Sequence, residues 1–188
     1  MKILIIVLSC LAFISCSKET DNGGLNTVVP PLDKSIVMPL KIGNYWIYKA
    51  SILDTLKNVD TVVDSYVSIT AEKIINSEKW YFQGDNYGFI NRSNGLWYTI
   101  NYDTTMVAKY PTLVNDRIPM KYDTARVISV DSIIQVPAGK FSCYVYKSKY
   151  EINCYSPGIG LIYSEIFYNS AYSDDFYIRK ELKSYEFK

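Results

Sequence analysis

A mainly β protein is what this sequence predicts: a sequential antiparallel meander forming a barrel, a half-barrel or a sandwich, with little or no helix outside the amino-terminal segment. Three observations carry that reading. Apolar residues recur at a spacing of two and rarely at three to four, the opposite of an amphipathic helix. β-branched residues and tyrosine, of which there are 18, dominate the body of the chain, and both favour a pleated, half-buried surface. Turn-forming pairs such as Gly43-Asn44, Asn76-Ser77 and Asn94-Gly95 separate these runs at hairpin intervals.

Taken in order, residues 38–48 carry a Gly-Asn turn and then the aromatic, β-branched run Tyr45-Trp46-Ile47-Tyr48. Residues 61–70 alternate, with Val63, Val67 and Ile69 on one parity and Asp64, Tyr66 and Ser68 on the other. Residues 79–83 read as their partner across a turn near Asn76-Ser77. Residues 88–91 and 96–101 flank Arg92-Ser93-Asn94-Gly95, a hairpin cue. Residues 107–119 stay uncommitted, interrupted by Pro111 and Pro119, and 126–136 form a long strand ended by Pro137. Strands at 143–147, 150–154, 161–168 and 176–187 close the chain.

The amino-terminal segment is of another kind. Met1-Lys2 supplies a positive charge, residues 3–14 are almost wholly apolar, and Ser15-Cys16 gives way to the polar run Ser17-Lys18-Glu19-Thr20-Asp21-Asn22-Gly23-Gly24. Such a run has signal-peptide length and falls short of the roughly 20 residues that cross a bilayer. It resembles a bacterial lipoprotein signal, cut before a cysteine that then carries lipid, with Phe13 where the common motif has Leu. That resemblance implies lipidation at Cys16. Cys10 is the rival acceptor, but cleavage there would shorten the apolar core and leave Leu11 to Ile14 on the mature terminus. Fatty chains hold firmly, since each buried methylene contributes ~0.8 kcal/mol. The division expected is a signal peptide at 1–15, a lipidated flexible tether at 16–35 with Gly23-Gly24 and Pro30-Pro31, and a single β domain at 36–188. The Ser17–Asp21 run resembles the signals that send lipoproteins of Bacteroidetes-type bacteria to the cell surface; a solvated linker is the alternative.

Composition narrows the chemistry. Lys plus Arg number 20 and Asp plus Glu 19, so no charge excess points to nucleic acid. Histidine is absent, which removes Ser-His-Asp and Cys-His catalysis, the commonest zinc ligand and the usual near-neutral proton shuttle. Carboxylate pairs such as Asp174-Asp175, or Glu165 with Glu181, exist on paper, but glycoside hydrolysis needs two carboxyl groups set across a cleft. The expectation is a protein that is not an enzyme, with no cofactor and no metal.

The most patterned internal stretches are residues 136–146, with Pro137-Ala138-Gly139 and Phe141, and 155–162, with Tyr155-Ser156-Pro157-Gly158-Ile159-Gly160-Leu161. These turns into strands resemble small secreted bacterial proteins of uncharacterised function and, more distantly, half-barrel periplasmic carrier proteins. With the leader, the resemblance is to a small Bacteroidetes-type envelope lipoprotein of uncharacterised function. A two-residue turn at Ser148-Lys149 would set Cys143 opposite Cys154, where an oxidising envelope would allow a disulfide; two free, partly buried thiols are the alternative. Trp46, Trp97, Tyr144 and Tyr146 are the aromatic candidates for binding a ligand or partner, against the plainer reading that rings fill a β core. The expected protein is therefore lipid-anchored in the cell envelope, at the outer membrane, on its periplasmic or its surface side. It acts as a non-catalytic binding or interaction module; the alternatives are a half-barrel carrier of a lipid or other hydrophobic ligand, and a glycan-binding module with aromatic platforms. The expected partners are the membrane, through the anchor, and an envelope protein or glycan.

Overall fold

Runs that alternate apolar and polar residues, rich in β-branched and aromatic types, give fourteen strands among the described residues and no helix. The computed structural model describes residues 27–30, 32–101, 103–120, 123–168 and 175–188. The expectations for the signal peptide, Cys16 and the first part of the tether lie outside these residues, as does Asp174.

Strands β1 (Val28–Val29), β2 (Tyr45–Leu53) and β3 (Val59–Ser68) belong to a large sheet. Strands β4 (Ala71–Ile75), β5 (Glu78–Gln83), β6 (Tyr87–Arg92), β7 (Gly95–Ile100) and β8 (Asp103–Lys109) then form a five-stranded meander of their own. Strands β9 (Arg117–Pro119), β10 (Thr124–Val136), β11 (Gly139–Lys147), β12 (Glu151–Ser156), β13 (Gly160–Tyr168) and β14 (Phe176–Glu186) complete the large sheet. Its order is β3-β2-β14-β13-β12-β11-β10-β9, with β1 added in parallel beside β11. The amino-terminal hairpin β2–β3 thus docks on the last strand of the meander β9–β14, and the small sheet is an excursion between β3 and β9.

The large sheet curls without closing into a barrel, because its end strands β3 and β9 do not pair. The curl is visible where the Ala138 amide, in the β10–β11 turn, donates to the Leu182 carbonyl of β14, three strands away, at 3.0 Å. Its interior is filled: Trp46, Phe141, Cys143, Ile162 and Leu182 are all fully buried in one cluster. Close packing of such large side chains is the main apolar contribution to the fold.

Three expectations need correction. Residues 79–83 do pair across Asn76-Ser77, both at positive φ, but with β4 rather than with 61–70, which pairs with β2. The reason is that the chain changes sheets at Ile69-Thr70: the Ile69 amide donates to the Asn44 carbonyl at 2.9 Å, and the Thr70 amide to Phe82 at 2.8 Å. The tether assigned to 16–35 is not free to its end, since Val28 and Val29 pair with Lys140 and Phe141 of β11. The β11–β12 register also differs: Val145, not Cys143, lies opposite Cys154. The two-residue turn is Lys149-Tyr150. The Ser148 hydroxyl accepts from the amides of Tyr150 and Glu151, each at 3.2 Å, and Asp123 accepts from the Lys149 amide at 2.8 Å. Those bonds hold Ser148 at the turn's corner and leave Lys149 at its tip.

The uncommitted stretch 107–119 becomes the end of β8, a loop and β9. Asp116 organises the loop, accepting from Lys109 Nζ and Thr112 Oγ1, each at 2.8 Å, and from the Leu113 amide at 3.1 Å. The Lys109 bond, then the Leu113 and Thr112 bonds, hold its carboxyl down to about 2. A carboxylate whose folded pKa lies below its ordinary value of about 3.9 stabilises the fold above that value and loses the contribution as pH falls through the folded pKa. Denaturant midpoints measured from pH 5 to below pH 2 are therefore expected to fall less steeply, between about pH 4 and 2, in Asp116→Asn than in the parent. Parallel curves for the two proteins would contradict this role.

Candidate functional site

The four aromatic candidates end in different places. Trp46 is fully buried, its indole N–H donating to the Ile159 carbonyl at 2.7 Å and its ring 5.5 Å from that of Phe187. Tyr146 is buried too, its hydroxyl donating to the Lys109 carbonyl at 2.8 Å. Both belong to the core rather than to a binding face, because each is packed inside the main buried cluster. Tyr144 is half-buried, edge-on to Tyr110 at 5.2 Å. Trp97 is half-buried on the small sheet, donating to Asn94 Oδ1 at 2.9 Å, with the Arg92 guanidinium 4.6 Å above its ring.

Cys143 and Cys154 are free, buried thiols rather than a disulfide. Burial pushes both up, Cys154 to about 12 and Cys143 further, with the charge of Cys154 adding to the shift of Cys143. A thiol so protonated is a poor nucleophile and a poor metal ligand. Among the described residues, no group of three or more His, Cys, Asp or Glu is placed to hold a metal ion.

The carboxylates behave as ion-pair partners. Glu165 on β13 receives Arg179 through Nε at 3.2 Å and Nη2 at 3.0 Å, the Tyr163 hydroxyl at 3.2 Å, and Lys57 Nζ. Burial alone would raise its pKa, but the Lys57 and Arg179 bonds overrule it and hold it below the ordinary carboxylate range. A general acid for glycoside cleavage needs the opposite shift. Glu181 pairs with Lys49 at 3.7 Å.

What the sequence did not single out is an edge. β3 is ten residues long and borders the large sheet. Val59, Val62, Val63 and Tyr66 are each at least half exposed there, and the strand carries neither lysine nor proline. Its guards are Asp60, at a register irregularity, Asp64, and the Gln83 amide that donates to the Tyr66 carbonyl at 2.9 Å. An edge of this kind presents unpaired N–H and C=O groups, which proteins ordinarily blunt. The opposite border shows such blunting: β9 is three residues long and ends in Pro119, and β10 carries two register irregularities. The signal for the edge was present in the run Val59-Asp60-Thr61-Val62-Val63, but its place in the sheet order was not.

No protein-family model matches the chain, and no curated protein does. Two solved structures are similar to it. One is a protein from Bacteroides fragilis NCTC 9343, described as exported and as having a YmcC-like fold, with a TM-score of 0.44 and 11% identity over 81% of this chain and 99% of that one. The other is a protein from Parabacteroides distasonis ATCC 8503, described as a lipoprotein, with a TM-score of 0.40 and 15% identity over 82% of this chain and 100% of that one.

Proposed function

We propose that this chain is a lipid-anchored, non-catalytic module of the cell envelope, tethered at the outer membrane through Cys16, which binds an envelope protein by strand addition along β3. The observation that carries the reading is the length of the β3 edge, ten residues with one register irregularity at Asp60 and no lysine or proline, against a three-residue β9 that ends in Pro119 and a β10 with two irregularities. Main-chain pairing along such an edge supplies affinity, and pockets for alternate side chains supply selectivity. The apolar leader ending at Cys16 supports the anchor. A carrier needs a hollow sheet, and here the curl is filled by Trp46, Phe141, Ile162 and Leu182, which supports the interaction module over the carrier.

A photoreactive residue at Thr61 or Val63, in cells, tests the surface. The expected result is one discrete protein adduct from each of these positions, and none from the equally exposed Ile133 on β10. Absence of adducts from β3, or the same adducts from Ile133, would contradict the proposal.

A further inference from the structure

We propose that the small sheet holds a second site, one that takes a single neutral sugar unit, in the cavity bordered by Trp80 and Thr99. The inference goes beyond partner binding at β3 and concerns a different sheet. It begins with the pairing of β5, β6 and β7. Phe82 faces Gly88, which faces Thr99, and Ile90 faces Trp97; strand alternation puts Trp80 on the same side. Trp80, Phe82 and Ile90 form a small core there, with Ala71, Ile75 and Trp97 packed against it, separate from the main core.

A cavity of about 320 Å³ opens beside this cluster, bordered by Asn76, Glu78, Trp80, Arg92, Thr99 and Thr104 among others. Two of these residues are about 2% exposed and carry polar atoms with no hydrogen-bond partner among the described residues: Trp80 Nε1 and Thr99 Oγ1. A buried donor or hydroxyl left unpaired gives up its hydration without return, and native structures hold few of them. Two on one cavity are explained together if the cavity's occupant supplies both partners. The third such atom, Ser156 Oγ, borders none of the described cavities.

The chemistry of the occupant follows from the charges and the size. Arg92 is the cation of the site, and Glu78 forks onto it, Nε to Oε1 at 2.8 Å and Nη2 to Oε2 at 2.5 Å. The pair cancels, and the Arg92 guanidinium also lies over the rings of Trp80 and Trp97, so neither an anionic nor a cationic ligand is favoured. What remains is one N–H donor, two hydroxyls that donate or accept, and the Asn76 amide. That set matches a small neutral ring bearing several hydroxyls. The volume lies at the small end of ligand cavities, enough for one ring rather than a chain.

The test uses the full chain in detergent micelles, with D-glucose, D-galactose and N-acetyl-D-glucosamine as probes and ligand-observed NMR as the readout. At least one sugar is expected to bind saturably. Trp80→Phe removes the N–H but keeps a ring, and Thr99→Val removes the hydroxyl at nearly constant volume. Each is expected to weaken binding at least tenfold, and Thr99→Val is expected to melt no lower than the parent, since it deletes an unpaired polar atom. Should Trp80→Phe fail to fold, Thr99→Val still decides. The proposal is overturned if none of the three sugars binds saturably, or if either folded variant binds as tightly as the parent.

Discussion

Trp46→Ala is expected to cost about 3–5 kcal/mol of folding stability, the range for a large aromatic removed from a packed core. Trp46 is fully buried against Phe187, and its N–H satisfies the Ile159 carbonyl at 2.7 Å. The substitution therefore opens a large void and strands a buried acceptor in one step. Against a total stability of about 5–15 kcal/mol for an ordinary domain, that loss leaves a large unfolded fraction at modest denaturant. Trp97→Ala, at a half-buried ring on the small sheet, is expected to cost less than about 2 kcal/mol. Guanidinium midpoints for the two variants check the contrast; equal shifts would contradict the placement of Trp46 at the centre of the core.

The second large effect is expected at Gly158, in the turn between β12 and β13. Its φ is +73°, and a Cβ there would sit 2.2 Å from the Asp33 amide nitrogen and 2.8 Å from the Asp33 carbonyl oxygen. Its own amide donates to the Ile36 carbonyl at 2.8 Å, so this turn holds the segment that leads into buried Val37 and Met38. Gly158→Ala must displace that segment. Gly84 provides the control, because its φ is +62° and a Cβ there meets nothing within 4 Å. Gly84→Ala is expected to cost about 1–2 kcal/mol from backbone strain alone. Gly158→Ala is expected to cost roughly 3 kcal/mol or more, as strain and overpacking add, and to expose residues 33–38 to limited proteolysis. Equal costs for the two variants, or unchanged cleavage, would contradict the docking of this segment.

Local chemistry made most strands legible. The run 126–136 before Pro137 is β10, the Asn76-Ser77 turn is real, and the hairpin near residue 94 forms with Ser93-Asn94 at its tip and Gly95 beginning β7. Sheet membership was not legible. β3 and β4 are two residues apart in sequence and lie in different sheets, a choice made by Asn44 and Phe82 from far along the chain. Register failed for a related reason at β11–β12, where Asp123 and the Ser148 hydroxyl fix which residues make the turn.

The candidate aromatics show the same limit. Trp46 and Trp97 both sit in tyrosine-rich strands that are interior to their sheets, and only the packing of the main cluster over Trp46 makes that one core. The Arg92–Glu78 pair could have been anticipated had 79–83 been aligned on 87–92, because continuing the observed β5–β6 register sets the two side chains across from each other. The orphaned Trp80 and Thr99 atoms had no counterpart in the residue pattern. Whether a polar atom finds a partner depends on three-dimensional neighbours rather than on the run of the chain.

The amino-terminal chemistry tests the central claim most directly. Mass spectrometry of the first peptide from membrane-extracted protein is expected to find a chain beginning at Cys16, with residues 1–15 absent and fatty acyl groups on the cysteine. Cys16→Ala is expected to leave the membrane fraction. An intact leader with an unmodified Cys16 sulfur, or undiminished membrane association of Cys16→Ala, would contradict a lipid-held envelope module.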